Sequence, residues 1–364
     1  MLSIKIESKI IIQKKNRIIG INIFQSNDTT GDYIQIADLH IHSKYSRATS
    51  PSTDIKTLAA GAHIKGIDIL GTGDFTHPLW FDELRNTLVD ADGIYEYDNI
   101  KFIPSTEVSL IYRKDGKTRK IHHVILAPDL DIVAQINEYF KRHGRVDYDG
   151  RPIFGIPSEE VVYNLRQISD QIEVIPAHAW TPWFGIFGSM SGFDSLQECF
   201  GDQTKYIHAI ETGLSSSPAM NWRIPELDTI TLVSNSDAHS AEPWRIGREA
   251  NMFDLKHVDY KHVIEAIRTR KNFLGTIEVD PAYGKYHFDG HRNCNIVLDP
   301  QESNKKKNIC PKCGTMLTIG VLHRIEELAQ RPEGFVLPDA APFKKIIPFR
   351  KRLIIIGYIS RHFP

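Results

Sequence analysis

Cysteine is scarce in this sequence, because its 364 residues include only four. That is too few for the disulfide framework of a secreted domain. Long apolar runs are also missing: no stretch approaches the roughly 18 uninterrupted apolar residues of a membrane helix, and the N-terminal run Ile10–Ile12 ends at Gln13. We find no internal repeat and no low-complexity tract. These absences predict a soluble cytoplasmic protein with no membrane partner, and its 41% hydrophobic residues are enough for a large core.

The formal net charge of −1 conceals an uneven distribution along the chain. Residues 36–280 carry 25 basic and 35 acidic side chains, whereas residues 281–364 carry 14 basic and 7 acidic ones. An acidic body suits cation binding, and a basic tail suits contact with a polyanion. Solvated Lys and Arg faces without a ligand explain the same pattern, so charge alone leaves both interpretations open.

From residue 36 onward, short apolar runs rich in β-branched residues alternate with stretches of helical periodicity. This alternation predicts an α/β layer or barrel. The predicted strands are 36–42, 67–71, 100–104, 122–127, 173–177, 206–211 and 230–234. The predicted helices include 54–65, 131–142, 158–168 and 258–271.

Nearly every predicted strand carries His, Asp or Glu at one end. In a parallel α/β barrel the strand ends of one face converge on a single site. Side chains alternate along a strand, so His40 shares a face with His42, and Asp237 shares one with His239. A lone His at a strand end is usually structural, but several in one position predict a multinuclear metal site suited to Zn, Mn or Fe. The candidates are His40, His42, Asp74, His77, Glu107, the pair His122 and His123, His178, Asp237 and His239.

Farther along, His291-x-x-Cys294 and Cys310-x-x-Cys313 have the spacing of two zinc-knuckle halves. This spacing predicts one structural Zn, which would hold together a module too small to bury its own core. His287 is an alternative fourth ligand, but the spacing favours His291. The module also carries lysines that could grip phosphates without reading base sequence, namely Lys305, Lys306, Lys307 and Lys312.

Several of these motifs together resemble those of the PHP (polymerase and histidinol phosphatase) superfamily. They are the segments 38–43, 105–109, 176–178 and 236–239. Longer stretches resemble the endonuclease Q family within that superfamily, and the similarity runs from about residue 36 to about residue 349. Those stretches are 176–185, 211–216, 243–247 and 320–324.

The resemblance implies a distorted (β/α)7 PHP barrel followed by a small zinc-binding module. It also implies a metal-dependent DNA repair endonuclease that cuts the phosphodiester 5′ to deaminated bases, uracil or hypoxanthine. Two or three divalent ions, Zn, Mn or Mg, would bind in the barrel, with Asp237, Glu107 and His178 as the catalytic residues. DNA containing deaminated bases would be the partner, and the protein would be associated with the nucleoid.

The resemblance also bears on individual ligands. His123 is favoured over His122 because it precedes apolar Val124, as the motif His of the family does. The acid or His that often follows His-x-His is missing or replaced at residues 44–48. His77 stands two positions farther from Asp74 than in the usual Asp-His dipeptide.

Reading one altered base requires taking it out of the stack and holding it against aromatic or small side chains. The candidates are Trp183, Phe184, Gly188, Ser189 and Trp222. Aromatic residues in a glycine-rich loop more often serve local packing, and this alternative stays open at the sequence level.

We predict four regions: an unassigned N-terminal extension (1–35), the PHP catalytic barrel (36–280), the zinc-binding module (281–325) and a basic, truncated C-terminal segment (326–364). The alternative function is a small-molecule phosphoesterase of the histidinol phosphatase type, which would use the same barrel metals. That alternative leaves the zinc module and its lysines without a role. An inert DNA-binding relative would have lost ligands that this chain retains.

Overall fold

A computed structural model of the chain describes residues 34–347. The predicted N-terminal extension lies outside the described residues up to residue 33, and so does the basic C-terminal segment from residue 348. Between residues 34 and 347 the chain forms sixteen strands and nine α-helices. The strands are β1 Gln35–Asp38, β2 Ile69–Gly71, β3 Val89–Asp90, β4 Tyr95–Tyr97, β5 Ile100–Ile103, β6 Ser105–Lys114, β7 Lys117–Leu126, β8 Ile153–Phe154, β9 Glu173–Pro176, β10 Ala209–Glu211, β11 Thr231–Val233, β12 Ala250–Phe253, β13 Phe273–Val279, β14 Asp289–His291, β15 Ile296–Leu298 and β16 Phe343–Ile346. The helices are α1 Ile55–Lys65, α2 Pro78–Thr87, α3 Leu130–Lys141, α4 Ser158–Ile168, α5 Leu196–Phe200, α6 Pro218–Asn221, α7 Tyr260–Thr269, α8 Pro300–Lys305 and α9 Val321–Leu328.

All seven predicted strands are present, as β1, β2, β5, β7, β9, β10 and β11, and they close into a distorted barrel. Strand β2 pairs in parallel with both β1 and β5. Beyond Pro104 the chain continues into β6, which pairs with β7, and β7 pairs with β9. Ala179 N donates to Glu211 O, which joins the end of β9 to the parallel pair β10–β11. A bridge between Ile41 and Ala238 returns the ring to the end of β1. The predicted α/β barrel class is confirmed.

One departure from a parallel barrel decides where the histidines of β7 lie. Strands β6 and β7 form an antiparallel hairpin whose two-residue turn is Asp115 and Gly116, both with positive φ. Because β7 runs in the opposite direction to the parallel strands, the start of its apolar run reaches the barrel end where those strands finish. His122 and His123 therefore stand near Glu107 even though they begin their predicted strand.

The four predicted helices are confirmed as α1, α3, α4 and α7, with ends within two residues of the expected ones. Side-chain caps explain three of their starts: Asp54, Asp129 and Asp259 each accept a backbone N–H from the first helical turn. Gly66 ends α1 in a left-handed conformation with φ of 81°, where a side chain would be strained. None of the helices within residues 34–347 is long and apolar enough to cross a membrane.

Arginine side chains attach the C-terminal part of the described chain to the barrel. Arg324 on α9 donates to the carbonyls of Phe187 and Phe193, which belong to the loop after β9. Farther along, Arg331 forms a two-pronged ion pair with Asp228. These contacts hold the zinc-knuckle segment beside the loops at the open end of the barrel.

Asn251 on β12 closes the barrel at the junction of β1 and β11. Its amide nitrogen donates to Ser234 O and Asn235 Oδ1, both at 2.9 Å, and to Ala37 O at 3.3 Å. Its amide oxygen accepts from Ser234 N at 2.9 Å. The side chain is fully buried, so water cannot replace these partners.

Replacing Asn251 by Ala should lower the free energy of unfolding by about 3 kcal/mol, because several buried polar groups lose their partners. Chemical denaturation would measure this change. Asn86→Ala is the matched control, since the Asn86 amide bonds only the Asp82 carbonyl on an exposed helix face, and it should change stability little. Equal stability of both variants with wild type would contradict this account of the barrel closure.

Candidate metal centre and substrate cavity

Glu107 on β6 is a buried carboxylate with a histidine pair at each of its two oxygens. Its Oε1 lies 2.6 Å from His122 Nδ1 and 3.1 Å from His178 Nε2. Its Oε2 lies 3.2 Å from His42 Nε2 and 3.5 Å from His40 Nε2. One side chain therefore joins two sets of imidazole nitrogens that come from three different parts of the chain.

Two groups of possible metal ligands result, and Glu107 belongs to both. The first group adds Asp237, whose Oδ1 lies 3.1 Å from His42 Nε2 and 3.7 Å from His40 Nε2. Within each group the ligand atoms lie within 4.8 Å of one another. The groups are His40, His42, Glu107 and Asp237, and Glu107, His122 and His178.

Carboxylates behind the histidines orient their rings toward the centre. His40 Nδ1 contacts Glu211 Oε1 at 3.0 Å, and His42 Nδ1 contacts Asp74 Oδ1 at 2.9 Å. Each ring thus turns its Nε2 toward Glu107, and the buried His40 Nε2 has no hydrogen-bond partner among the described residues. A histidine backed by a carboxylate with its other nitrogen free is the usual arrangement of a metal ligand. This donor set fits divalent ions.

Positive charges and hydrogen-bond donors around Glu107 keep it ionised. Burial alone would raise the pKa of Glu107, but His122, Arg151 and His40 hold that pKa well below its ordinary value. Burial lowers the pKa of His122 to about 4, so its imidazole is neutral near pH 7, as metal binding requires. Arg151 Nη1 donates to Glu107 Oε2 at 2.9 Å, and this carboxylate raises the pKa of Arg151.

The backbone is strained at three residues of the centre. Asp74, His178 and Asp237 have φ of 50°, 32° and 48°, a region that non-glycine residues rarely enter. Each follows a strand, where the left-handed turn directs its side chain back over the barrel end. Strain of this kind is concentrated at functional sites, where the surrounding structure holds it in place.

Three predicted ligands lie next to the two groups but outside them. Asp74 backs His42 and also accepts from the Ser43 hydroxyl and backbone N–H. The His239 ring lies 4.5 Å from that of His42 and is partly exposed. The His77 ring stacks on Tyr45 at 4.4 Å. A ligand role for these residues stays a prediction.

The structure places His122 at the centre, and not the favoured His123. Across the hairpin His122 pairs with Ser109 and His123 pairs with Val108, so only His122 shares the face of Glu107. His123 points to the other side of β7, where its Nε2 lies 2.9 Å from the Ser158 hydroxyl. Burial lowers the pKa of His123 to about 3.

Glu211 and Arg151 are parts of the centre that sequence reasoning missed. Glu211 supports His40, accepts from the His178 backbone N–H at 2.7 Å, and accepts from Asn235 at 2.9 Å. Its position at the end of a predicted strand was a usable signal. Arg151 lies in the loop before β8, and no pattern in the sequence connects that loop with Glu107.

A cavity of about 630 Å³ opens beside the candidate metal ligands. Trp183 and Phe184 line it, together with Asp237 and Arg151. Tyr286, from the segment after β13, meets the Trp183 ring edge-on at 6.2 Å. Three neighbours in that segment also line the wall, namely Tyr283, Gly284 and Lys285.

The other base-pocket candidates lie elsewhere. The Ser189 hydroxyl donates to Ile319 O at 2.8 Å and so joins the loop to the zinc-knuckle segment. A side chain at Gly188 would collide with the backbone of Thr181. The Trp222 ring packs against Phe343 at 5.7 Å. Trp183 and Phe184 are the two candidates that the structure brings to the cavity.

Known structures resemble most of this architecture. The lesion-specific endonuclease PfuEndoQ from Pyrococcus furiosus is 30% identical with a TM-score of 0.77, over 91% of this chain and 83% of that one. The chain belongs to the endonuclease Q family. An endonuclease Q in complex with a 27-mer duplex substrate, with an abasic lesion at its active site, is also 30% identical, with a TM-score of 0.78 over 91% of this chain and 85% of that one.

Two curated proteins of unassigned function are related as well. An uncharacterised protein of Methanocaldococcus jannaschii is 31% identical over 223 residues, which are 58% of this chain and 26% of that protein. The uncharacterised protein YqxK of Bacillus subtilis is 26% identical over 319 residues, 82% of this chain and 78% of that protein. The chain described here therefore spans about a quarter of the length of the archaeal protein. No family model matches the chain.

A third group of possible metal ligands lies in the knuckle segment. His291 joins Cys294, Cys310 and Cys313 there, and His291 Nδ1 lies 3.2 Å from Cys313 Sγ. His287 stands apart, with its ring against Phe288. A hydrogen bond from Thr315 lowers the pKa of Cys313 to about 6, which favours the thiolate that binds metal.

Glu107→Gln should weaken metal binding at both barrel groups, because the neutral amide replaces the only carboxylate common to them. We expect metal affinity to fall more than about 100-fold, because losing even an outer partner of a metal ligand lowers metal affinity by roughly 10- to 100-fold. Elemental analysis after dialysis would measure it, with exposed Glu265→Gln on α7 as the control. Full metal content in Glu107→Gln would rule out a shared ligand.

Cys310→Ser and Cys313→Ser should each remove one equivalent of zinc and destabilise residues 287–320, because this segment has little core apart from its metal group. Elemental analysis and hydrogen exchange of that segment would show the two losses together. Cys199→Ser is the control, because Cys199 is buried in the barrel core, far along the chain from the knuckle. Unchanged zinc in both knuckle variants would be incompatible with this assignment.

Proposed function

We propose that this protein is a metal-dependent DNA repair endonuclease that cuts the phosphodiester 5′ to a deaminated base, uracil or hypoxanthine. The observation that carries the proposal is the pair of ligand groups joined by Glu107, of which His122, His178 and Asp237 line an open cavity. Two adjacent divalent ions suit phosphodiester hydrolysis because they activate water and neutralise charge on the phosphate oxygens. PfuEndoQ is itself described as lesion-specific.

The residues of the centre suggest a division of roles. His40, His42 and Asp237 would hold one ion, and His122 and His178 the other, with Glu107 common to both groups. Imidazole and carboxylate ligands together suit Zn or Mn. Asp237 is the carboxylate of the two ligand groups that lines the cavity, and it is partly exposed, so it is placed to take a proton from the attacking water. Arg151 adds a fixed positive charge at the same wall, where a phosphate oxygen would lie.

The cavity suits a base removed from the duplex. Its volume of about 630 Å³ lies within the range of small-ligand pockets, and Trp183 and Phe184 offer aromatic surfaces beside the metal ligands. Endonuclease Q has been captured on duplex DNA with an abasic lesion at its active site. We extend that mode of binding to this chain, with a deaminated base as the lesion.

The proposed regions follow the predicted boundaries: a catalytic barrel over 36–280, a zinc-binding module over 281–325 and a basic segment from 326. Lys305, Lys306, Lys307 and Lys312 are exposed on the module. They would hold DNA phosphates and offset the acidic barrel, which suits a protein that works on the nucleoid.

The function can be tested with Mn²⁺ or Mg²⁺ and duplexes that contain uracil, hypoxanthine or an abasic site. We expect cleavage 5′ to the lesion and none of an undamaged duplex. Turnover of a generic phosphomonoester without cleavage of any lesion duplex would reject the proposal and support the small-molecule phosphoesterase.

Asp237→Asn should lower the single-turnover cleavage rate by about 10²- to 10⁴-fold and leave lesion binding largely intact, because the amide keeps the shape but cannot accept the proton. Cleavage and gel-shift affinity should be measured on one preparation. Exposed Asp170→Asn is the matched control and should cleave normally. A normal rate in Asp237→Asn would overturn the assigned centre.

A further inference from the structure

Three apolar side chains of the zinc-binding module share one face of a small sheet, which we call the apolar strip: Val297, Ile309 and Met316. The pairing of the backbone sets this face. Gly290 on β14 pairs on one side with Val297 and on the other with Thr318, and Met316 pairs with Ile309. Residues directly opposite in antiparallel strands point the same way, as do residues two apart, so the three side chains lie together.

The strip faces outward. Val297 is 67% exposed, Met316 is 69% exposed and Ile309 is 38% exposed. The alternate residues Cys310 and Leu317 are 1% and 4% exposed, and they form the inner face of the knuckle. The exposed apolar side chains are therefore not partly buried members of a core, because the core of this segment lies on the opposite face.

Positively charged side chains flank the residues of the strip in the sequence. The Lys306 carbonyl oxygen accepts a hydrogen bond from the Ile309 backbone N–H, so the lysine-rich turn 305–307 lies next to one end of the strip. Lys312 lies in the knuckle between Ile309 and Met316. Residues 291–316 hold five Lys and Arg against two Asp and Glu. Among residues 34–347 none of these five forms an ion pair; they are Arg292, Lys305, Lys306, Lys307 and Lys312.

We propose that the apolar strip is a DNA contact surface, in which its side chains press into a groove of the duplex flanking the lesion while the surrounding cations bind the phosphates on either side. Proteins that bend DNA use Ile, Leu and Met in this way, between positive side chains. The inference rests on the proposed function for the presence of DNA, and it adds a second contact that does not involve the cavity.

The size and charge of the surface favour DNA over a protein partner. A stable protein interface buries about 800 Å² on each side, far more than three side chains supply. Groove contacts need only a few apolar atoms, since the phosphate contacts carry most of the affinity. The five unpaired cations in the same segment, residues 291–316, match a polyanion.

The test compares wild type with the double variant Ile309→Ser, Met316→Ser, using an undamaged duplex so that lesion recognition plays no part. We expect about tenfold weaker binding with an unchanged salt dependence, because no charge is removed. A triple variant with Lys305, Lys306 and Lys307 changed to Ala should instead flatten the salt dependence. Val89→Ser is the matched control, since Val89 is also 67% exposed but lies on β3 of the barrel, and it should bind normally.

Peroxide oxidation of Met316 supplies a second measurement on the unmodified full chain. Met316 should oxidise readily in the free protein and be protected by the duplex, whereas buried Met252, 3% exposed, should stay unreactive in both. Each variant must retain its zinc, which shows that the module is folded.

Three results would overturn the proposal. The first result is that the zinc-loaded double variant binds as tightly as wild type and that Met316 of the wild-type protein is not protected by the duplex. DNA would then not touch the strip, and the proposed function would stand if lesion cleavage persists. Protection of Met316 without DNA would show that another part of the chain or a second copy covers the strip. Failure of wild type to bind any duplex would remove both the strip proposal and the proposed function.

Discussion

The two oxygens of Glu107 organise this end of the barrel. A buried carboxylate is costly unless charges and hydrogen-bond donors surround it, and here four imidazoles and one guanidinium do so. Those partners come from β7 and from the segments that follow β1, α3 and β9, so the barrel has to close for the carboxylate to be accommodated. Removing one partner would leave charge unbalanced for the others. The fold and the candidate metal centre thus depend on the same set of contacts.

The sequence predicted most of this centre because strand ends in a barrel converge, and alternation explains why His40 and His42 act together. The prediction of His123 as the ligand did not take the turn of the β6–β7 hairpin into account. Asp115 and Gly116 are typical of a two-residue hairpin, and such a turn sets the register that pairs His122, and not His123, with the face of Glu107. That information was in the sequence. Register, and not similarity to a motif, decides which of two adjacent histidines faces inward.

Arg151 and the wall at Tyr283 to Tyr286 could not be predicted from patterns. Both belong to irregular segments, where no periodicity reports the direction of a side chain. Arg151 reaches Glu107 because Gly150 fits closely against Asp74 and Ser46, where a side chain would collide. Long-range packing of this kind leaves no local signature. Glu211 is an intermediate case, since its strand was predicted but its role in orienting His40 requires the neighbouring strand to be in place.

The wall formed by Tyr283 to Tyr286 has a consequence for how such a protein can change. These residues follow β13 and begin the segment that leads to the zinc knuckle, yet they line the same cavity as Trp183 on the barrel. The boundary between the two regions therefore runs through the cavity. Under the proposed function, exchange of the module between relatives would alter both the shape of the cavity that a base meets and the contacts that hold the duplex. Lesion preference and DNA affinity would then be inherited together.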